Sequence, residues 1–382
     1  MLYRDAGRTG MSLSVIGLGA EHLDNKPYET AEETIHAAID QGINFMDVFM
    51  PGETVRKNIG KALKGKRDKV FIQGHIGSVD LNQQYDISRD LTVCKTYFEN
   101  LLKYLGTDYI DFGMLFFIDS EEDLKKIFEN GIVDYAQTLK KNGTIRAIGA
   151  SSHNPVTARK LAETGVIDLL MFSINPAFDM VPASSDVLDF LGKSMKAEYA
   201  LRMDPLRAEL YQVCEQKGIA ISVMKTLGAG KLLSAEHSPF GKAMSVGQCV
   251  HYALTRPAVV STLLGCQSRA EILEAVKYIS MTDEERDYTE IIRAYQGDFK
   301  GSCVYCNHCL PCPSNINIAE VNKYLDIALL DKTAVPPSIV QHYSALDHHG
   351  SECISCGSCE SRCPFSVPVI KNMETAASVF GK

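Results

Sequence analysis

Two groups of cysteines near the C-terminus constrain this 382-residue chain more than any other feature of its sequence. The first group, CVYCNHCLPCP, holds Cys303, Cys306, Cys309 and Cys312, and the second, CISCGSCESRCP, holds Cys353, Cys356, Cys359 and Cys363. In each group, three cysteines separated by two residues suit three corners of a cubane, and a fourth cysteine stands before a proline. The spacing therefore predicts two [4Fe-4S] clusters held by these eight cysteines.

The fourth cysteine of each group is expected to bind the other group's cluster, as in proteins that hold two cubanes. Cys312 would then join the second group and Cys363 the first. The first group has two residues rather than three before its fourth cysteine, so this crossing stays open at the level of sequence. A pair of structural zinc sites is the alternative, but the four-cysteine groups ending in Cys-Pro favour iron and sulfur.

Charge and hydropathy narrow the classes of partner. The formal charge is −8 with no segment rich in Lys or Arg, so we expect no nucleic acid partner. No apolar run approaches the ~18 residues that a membrane span needs, and no signal peptide precedes the first strand. We expect a cytoplasmic protein, in which clustered cysteines indicate metal rather than disulfides. Oxygen-labile clusters would suit an anaerobic cell.

The first three quarters of the chain alternate short apolar runs with amphipathic segments. The runs are Ser14–Gly17, Ile43–Asp47, Val70–Gln73, Tyr109–Leu115, Ile145–Ala150, Asp168–Ser173, Ile219–Met224 and Val260–Gly265. Eight strand–helix units in this length predict an α/β fold, a (β/α)8 TIM barrel over residues 1–282. A hairpin over Leu2–Ser12 is expected to close the barrel floor, and Val181–Met203 is expected to form a functional loop or lid.

Helical spacing marks the segments between the strands and the C-terminal part of the chain. Apolar residues recur at helical intervals over Ile87–Leu105, which Gly106 would end, and Thr30–Gln41 precedes Gly42 in the same way. After residue 282 the strand pattern stops, and helices are predicted at Glu284–Tyr295 and Ile318–Leu330. Residues 283–382 therefore read as a C-terminal all-α, ferredoxin-like Fe–S domain.

Several stretches of the barrel resemble the aldo-keto reductase family, and specifically its bacterial branch with a C-terminal ferredoxin-type module. They occur in order along the chain: YRDAGRTGMSLSVIGLGA, GINFMDVF, VRKNIGKAL, DKVFIQG, LGTDYIDF, GTIRAIGASSH, GIAISVMKTLGAGKLL and LLGCQSRAEILEAV. The resemblance implies a rim site in which Asp and Lys lower the pKa of a proton-donating Tyr, a His orients the carbonyl, and NADPH supplies hydride.

This chain keeps one residue of that tetrad. Asp47 stands where the family has its Asp, whereas the Tyr is missing from the run that follows. By the same resemblance, His75 replaces the Lys, Phe116 replaces the His, and Met171 replaces a Gln that holds nicotinamide. We predict that Asp47 and His75 carry the chemistry, with the imidazole taking the role of the missing acid. Lys225, at the end of the seventh strand, is a further candidate that would meet an anionic group.

The cofactor loops of the family are better preserved. By resemblance, Ser151 and Ser152 would contact nicotinamide, and the loops after strands seven and eight would hold phosphate near a helix N-terminus. The residues concerned are Gly228, Gly230, Gly265, Ser268 and Arg269. The alternative to phosphate binding is that Ser268 only caps the helix and that Arg269 is an ordinary surface residue. NADPH is thus a candidate cofactor, and the sequence leaves a flavin open as well.

Three functions fit these observations. The first is an oxidoreductase whose barrel binds a small organic substrate and whose clusters supply electrons singly, from ferredoxin or another redox partner. The second is an NADPH-dependent carbonyl reductase in which His75 replaces the lost proton donor. The third is a non-enzymatic electron-transfer or redox-sensing protein. The altered tetrad fits the first and third, whereas the preserved loops after strands seven and eight argue against a wholly inactive barrel.

Overall fold

The computed structural model describes residues 1–81, 84–179, 203–294, 301, 303, 309–329, 335, 337–363 and 366–382. The predicted lid, Val181–Met203, lies outside the described residues except for Met203. Cys306 of the first cysteine group also lies outside them. No helix in the described part of the chain is long and apolar enough to cross a membrane.

Eight parallel strands close into a barrel, which confirms the predicted α/β fold. They are Ile16–Gly19, Phe45–Val48, Phe71–Ile76, Ile110–Leu115, Ile145–Ser152, Leu169–Ser173, Ala220–Met224 and Val259–Leu264. Each strand pairs with the next along the chain, and the eighth pairs with the first, through Thr262 and Ile16. We number the barrel strands one to eight in this order. All eight predicted apolar runs overlap these strands, because strands covered on both faces read as continuous apolar runs.

Helices cover the outside of the barrel between the strands. They are Tyr28–Asp40, Glu53–Ala62, Leu91–Leu105, Glu121–Glu129, Ile132–Lys141, Pro155–Glu163, Pro176–Asp179, Pro205–Gln216, Val246–Leu254 and Arg269–Val276. Inside the barrel, apolar side chains from alternating strand positions pack in layers, and the rings of Phe45 and Phe112 meet edge to face at 5.9 Å. The barrel interior is therefore a packed core. It separates the rim, where the parallel strands end, from the floor, where they start.

The third helix corrects one predicted boundary. The sequence pattern starts it at Ile87, whereas Ile87 ends the strand Gln84–Ile87, which pairs with Ser78–Leu81 in a hairpin above the rim. The helix begins after Asp90, whose carboxylate accepts a hydrogen bond from the Val93 amide at 2.9 Å. It ends at Gly106, which adopts the left-handed conformation with φ of 65°. Side-chain capping thus overrides the longer apolar periodicity.

The floor is closed by the predicted N-terminal hairpin. Its strands, Tyr3–Asp5 and Ser12–Ser14, pair antiparallel. Arg4 donates to the carbonyls of Leu254 at 2.8 Å and Val259 at 2.7 Å, where the eighth strand starts. Because parallel strands all start at one end, these contacts mark the face opposite the rim.

The C-terminal part is helical, with helices Ile318–Ala328, Pro337–Ser344, Ser358–Arg362 and Val369–Phe380. The segment predicted as one helix from Glu284 is instead two short helices, Asp283–Arg286 and Thr289–Ala294. The break falls at Tyr288, whose buried ring packs on Tyr252 of the barrel at 5.3 Å. The division of the chain at residues 282 and 283 stays a prediction.

The C-terminal helices lie against the barrel floor. Lys323 of the helix Ile318–Ala328 forms a 2.8 Å ion pair with Glu215, near the end of the helix Pro205–Gln216, and both side chains are 15% exposed. One cleft is lined by Arg4, Gly218 and Val259 of the floor together with Glu320 and Lys323 of the C-terminal helices. The Fe–S part of the chain is thus attached at the end of the barrel that is opposite the rim.

Candidate functional site

Asp47 and His75 form a buried pair at the rim. Asp47 lies on barrel strand two and His75 on strand three, which are parallel neighbours. The Nε2 of His75 lies 2.8 Å from Oδ1 of Asp47, and the side chains are 1% and 3% exposed. Because an ionised carboxylate only accepts hydrogen bonds, the contact assigns the proton to Nε2 of the imidazole. The structure therefore brings together the two residues that the sequence predicts to carry the chemistry.

A polar network under the pair fixes the carboxylate. Gln73 donates from Nε2 to Oδ1 of Asp47 at 2.7 Å and lies 3.2 Å from the sulfur of Met171. Ser222 on strand seven in turn donates to Oε1 of Gln73 at 3.1 Å. Sequence reasoning missed Gln73 and Ser222, although their polar side chains within apolar strands were a usable signal. Gln73 and His75 thus both contact Oδ1 of Asp47, and together they orient the carboxylate.

Aromatic rings enclose His75. Phe116 meets its ring edge to face at 5.2 Å, and Phe49 does so at 6.1 Å. Phe49 and Phe116 stack on each other at 5.9 Å, and Tyr85 from the hairpin above the rim contacts both. The Nδ1 of His75 is buried without a hydrogen-bond partner among the described residues. A buried polar atom without a partner is costly, so this nitrogen is set up to bind a group that enters the site.

Lys225 lies at the rim but belongs to a different cluster from the Asp47–His75 pair. Burial lowers its pKa, and the charges of Asp119 and Glu21 oppose that shift. Its φ is 59°, a conformation that L-residues other than Asn and Asp rarely adopt. Its carbonyl oxygen accepts a 2.8 Å hydrogen bond from Asn175. The predicted site is therefore divided between two sides of the barrel mouth.

Asp119, which sequence reasoning missed, organises the rim loop beside Lys225. Its carboxylate accepts hydrogen bonds from the amide of His153 at 2.6 Å, from Nδ1 of His153 at 2.8 Å and from Oγ of Ser152 at 3.0 Å. Burial tends to raise the pKa of Asp119, but the contacts with His153 outweigh it and lower the pKa. Burial also lowers the pKa of His153, and Lys225 and Arg207 act in the same direction.

The serines predicted to contact nicotinamide are both engaged in this loop. Ser151 is buried, and its hydroxyl accepts a 2.8 Å hydrogen bond from the amide of Phe117. Ser152 donates to Asp119, as described above. Phe117 has a φ of 55° and packs on the ring of His153 at 4.8 Å. Strain in non-glycine residues collects at functional rims when neighbouring contacts enforce it.

The loops predicted to bind phosphate form the expected turns, but side chains of the strand-eight loop already accept hydrogen bonds from its backbone amides. Gly228 and Gly230 adopt φ values of 57° and 83° in the turn after strand seven. Ser268 caps the helix Arg269–Val276 by accepting from the amide of Glu271 at 3.3 Å, while Glu271 accepts from the amide of Gln267 at 2.8 Å. An incoming phosphate at this N-terminus would have to displace a carboxylate.

Two other features of the strand-eight loop bear on the phosphate prediction. Arg269 is exposed. Gly265 lies directly under His22, so that a Cβ there would meet the His22 ring at 2.1 Å. Gly265 therefore lies in the loop, Ser268 caps the helix and Arg269 starts it, while the imidazole of His22 fills the space above Gly265; a phosphate-binding role for these residues stays a prediction.

Four cysteines from both groups face one cavity in the C-terminal part. They are Cys312 of the first group and Cys353, Cys356 and Cys359 of the second. Apolar side chains of Ile316, Ile318 and Met373 complete the lining. Within the described residues, no three His, Cys, Asp or Glu side chains are close enough to hold a single metal ion. The donor set, four soft thiols around one apolar space, fits a cubane rather than one small ion.

Contacts between the two cysteine groups position this cavity. Arg362 donates from Nη2 to the carbonyls of Cys309 and Pro311, both at 2.7 Å. Cys309 is buried, and Cys363 accepts a 3.5 Å hydrogen bond from the amide of Val367. Cys303 and Cys309 belong to the predicted ligands of the other cluster, together with Cys306 and Cys363. The arrangement fits crossed ligation, which stays a prediction for the individual cysteines.

Comparison with known proteins decides the family. A model of the aldo/keto reductase family matches residues 15–248, more than half of the chain. The chain belongs to this family. A model of the 4Fe-4S dicluster domain matches residues 302–368, which confirms the predicted iron–sulfur domain at the C-terminus. The resemblance drawn from the sequence is therefore correct for both parts of the chain.

Relatives of this aldo/keto reductase agree with the family assignment. Aldo-keto reductase YhdN of Bacillus subtilis is 34% identical over 164 residues, which cover 40% of this chain and 47% of that protein. The match thus spans less than half of the relative's length. Aldo-keto reductase AKR11C1 from Bacillus halodurans, in its holo form, has the same fold, with a TM-score of 0.59, 20% identity, and coverage of 77% of this chain and 95% of that one.

A putative aldo-keto reductase from Pseudomonas aeruginosa gives a similar result. Its TM-score is 0.55 at 20% identity, with 72% of this chain and 95% of that chain covered. At this identity the likeness concerns the fold alone.

Proposed function

We propose that this chain is an iron–sulfur oxidoreductase of aldo/keto reductase type that acts on a small organic substrate at the barrel rim. Asp47 and His75 move the proton. Ferredoxin or another redox partner supplies the electrons, which enter the protein through two [4Fe-4S] clusters. The observation that carries the proposal is the buried Asp47–His75 hydrogen bond, with Nδ1 of His75 left without a partner.

His75 is the acid–base group in this proposal. With Nε2–H held by Asp47, the free Nδ1 accepts a proton from substrate or, once protonated, returns it. The carboxylate stabilises the imidazolium, as buried carboxylates do for catalytic histidines. Substrate reaches Nδ1 when the rings of Phe49 and Phe116 turn aside, because His75 itself is 1% exposed. The same rings then exclude water from the reacting group.

The cysteines fit the clusters, which accept and release single electrons when bound. Cys312, Cys353, Cys356 and Cys359 would hold one, and Cys303, Cys306, Cys309 and Cys363 the other. Cys356 is exposed, and its hydrogen bonds with Ser358 lower the pKa of its thiol, which favours the thiolate that iron requires. This edge is therefore where a redox partner would reach the cluster.

The strand-eight loop supports a ferredoxin-fed enzyme over the NADPH-dependent alternative. Glu271 already accepts from the helix N-terminus, and His22 occupies the space above Gly265. Both features weaken the binding of a dinucleotide phosphate there. If NADPH does bind, its 2′-phosphate would depend on Arg269, and Arg269→Ala would remove that affinity. Tight NADPH binding that Arg269→Ala leaves unchanged would contradict the role of Arg269 in holding the 2′-phosphate.

The deciding experiment is an anaerobic titration of the iron-replete protein, followed through the Fe–S absorbance near ~400 nm. We expect full bleaching by a low-potential donor and none by NADPH. Bleaching by NADPH would instead support the carbonyl reductase with His75 as proton donor. Clusters that are fully reduced without turnover of any substrate would favour the non-enzymatic electron carrier.

A further inference from the structure

Lys225, a half-buried lysine, lies across the barrel mouth from the Asp47–His75 pair. In the part of the chain that the structure describes, no carboxylate lies within 4.0 Å of the ammonium of Lys225. A mostly buried charge without a counter-ion is costly, and Lys225 also holds a φ of 59°. The backbone conformation belongs to the turn after strand seven, in which the Gly228 amide donates to the Lys225 carbonyl at 2.9 Å, whereas the charge without a counter-ion points to a ligand.

Asp119 and Glu21 are the acidic groups whose charges act on Lys225, and Asp119 is committed to other contacts. Both carboxylate oxygens of Asp119 accept hydrogen bonds within the loop, from Ser152 and from the amide and ring of His153. A second buried cation, Arg207, adds to the positive potential, and the Asp179 carboxylate that it contacts at 3.3 Å also accepts hydrogen bonds from two tyrosine hydroxyls. The potential around Lys225 therefore favours an incoming anion.

A row of aromatic rings joins Lys225's side of the mouth to His75. His75 meets Phe116 at 5.2 Å, Phe116 meets Phe117 at 5.8 Å, and Phe117 meets His153 at 4.8 Å. The charge of Lys225 acts on His153 at the far end of this row. A ligand that lies along the rings would place an anionic end at Lys225 and its other end at His75.

We propose that Lys225, with His153 beside it, binds the carboxylate of a small organic acid whose apolar body lies against Phe116 and Phe117. The proposal rests on the proposed function and specifies its substrate class, an organic acid with an apolar or aromatic body. Small-molecule sites commonly combine such apolar walls with a few placed polar groups. The reacting carbon would then be at the end of the molecule nearest His75.

The test is calorimetric titration of the iron-replete protein with benzoate, with inorganic phosphate and ADP as separate probes. We expect benzoate to bind the wild type and to bind Lys225→Met about tenfold or more weakly, as loss of a charge-assisted contact implies. Lys225→Arg keeps the charge and should retain most of the affinity. Lys242→Met, an exposed lysine in the same connection, is the matched control and should bind as the wild type does.

Each other result overturns the proposal. Wild-type protein that binds neither benzoate nor phosphate, or Lys225→Met that binds benzoate with wild-type affinity, removes the subsite. ADP that displaces benzoate and depends on Lys225 assigns the lysine to a nucleotide phosphate instead. An unchanged far-ultraviolet circular dichroism spectrum and melting temperature in every variant show that the barrel is intact. Because binding is measured without turnover, benzoate binding that persists in an inactive protein separates this proposal from failure of the proposed function.

Discussion

The rim and the floor of the barrel are built from the same eight strands but hold different kinds of interaction. At the rim, buried charges, an unpartnered imidazole nitrogen and strained residues such as Phe117 and Lys225 lie within a few strands of one another. At the floor, Arg4 bonds to backbone carbonyls and Lys323 pairs with Glu215. The difference teaches that the floor uses its charged side chains to hold backbone carbonyls and anchor a second domain, whereas the charged side chains of the rim line the barrel mouth, where a ligand enters.

This comparison also bears on electron flow. The Fe–S domain is anchored at the floor, and the Asp47–His75 pair is at the rim. Strand seven alone, from Ala220 to Met224, spans about 13 Å at the usual rise per residue. Electron transfer slows steeply with distance, so we expect passage between the clusters and the rim to be slower than reduction of the clusters by a partner.

The largest effect is expected from the cysteines, and it tests the crossing between the two groups. Cys312→Ala should remove the cluster of the second group and about half of the bound iron, since each cubane needs four thiolates. Iron analysis and electron paramagnetic resonance would identify the lost cluster. Cys309→Ala is the matched variant and should remove the other cluster. Loss of the first group's cluster in Cys312→Ala would show that each group binds its own.

The next largest effect concerns the rim. Asp47→Asn should lower turnover about 10²- to 10⁴-fold, the range for loss of positioned acid–base catalysis, with the clusters retained. Replacing Asp47 and His75 together should abolish turnover. Steady-state rates with a low-potential donor are the measurement. Asp86→Asn, on the hairpin above the rim, serves as the control. Activity that persists in the double variant would mean that the chemistry lies elsewhere.

A pH effect is expected at the floor. Burial, with help from Arg286 and Arg256, lowers the pKa of His251 to about 4. The unfolded chain therefore binds the proton first, and the folded state loses stability as pH falls from about 6.5 to about 4, by on the order of 3 kcal/mol at most. Denaturant unfolding at pH 7 and pH 4.5 measures the loss. His251→Leu should reduce it, and an unchanged difference between the two pH values would refute the assignment.

The smallest effect tests the anchor between the domains. Lys323→Met removes a partly buried ion pair, which we expect to cost about 1 kcal/mol and to lower the melting temperature by about 2–4 °C. Differential scanning calorimetry would detect the shift. Lys371→Met, an exposed lysine of the same domain, is the control. Equal melting temperatures in both variants would mean that other contacts hold the Fe–S domain to the floor.

Local pattern was sufficient for much of the fold. Apolar runs placed all eight barrel strands, and Gly106 marked a helix end, because burial and backbone conformation act on neighbouring residues. The start of that helix at Asp90 was missed, since a capping contact competes with apolar periodicity over the same residues. The partners of the rim pair were missed for another reason. Gln73 and Ser222 are 149 positions apart in sequence, and only closure of the barrel brings them together.

The sequence by itself determined which chemistry this protein has available: eight clustered cysteines, an aldo/keto reductase barrel, and Asp47 and His75 in place of a complete tetrad. Spacing and residue type carry that information because ligand sets and strand ends are local. The tertiary structure alone decided that Lys225 stands apart with Asp119 and His153, and that the Fe–S domain is attached at the floor. Those outcomes depend on packing between distant segments, which no local pattern encodes.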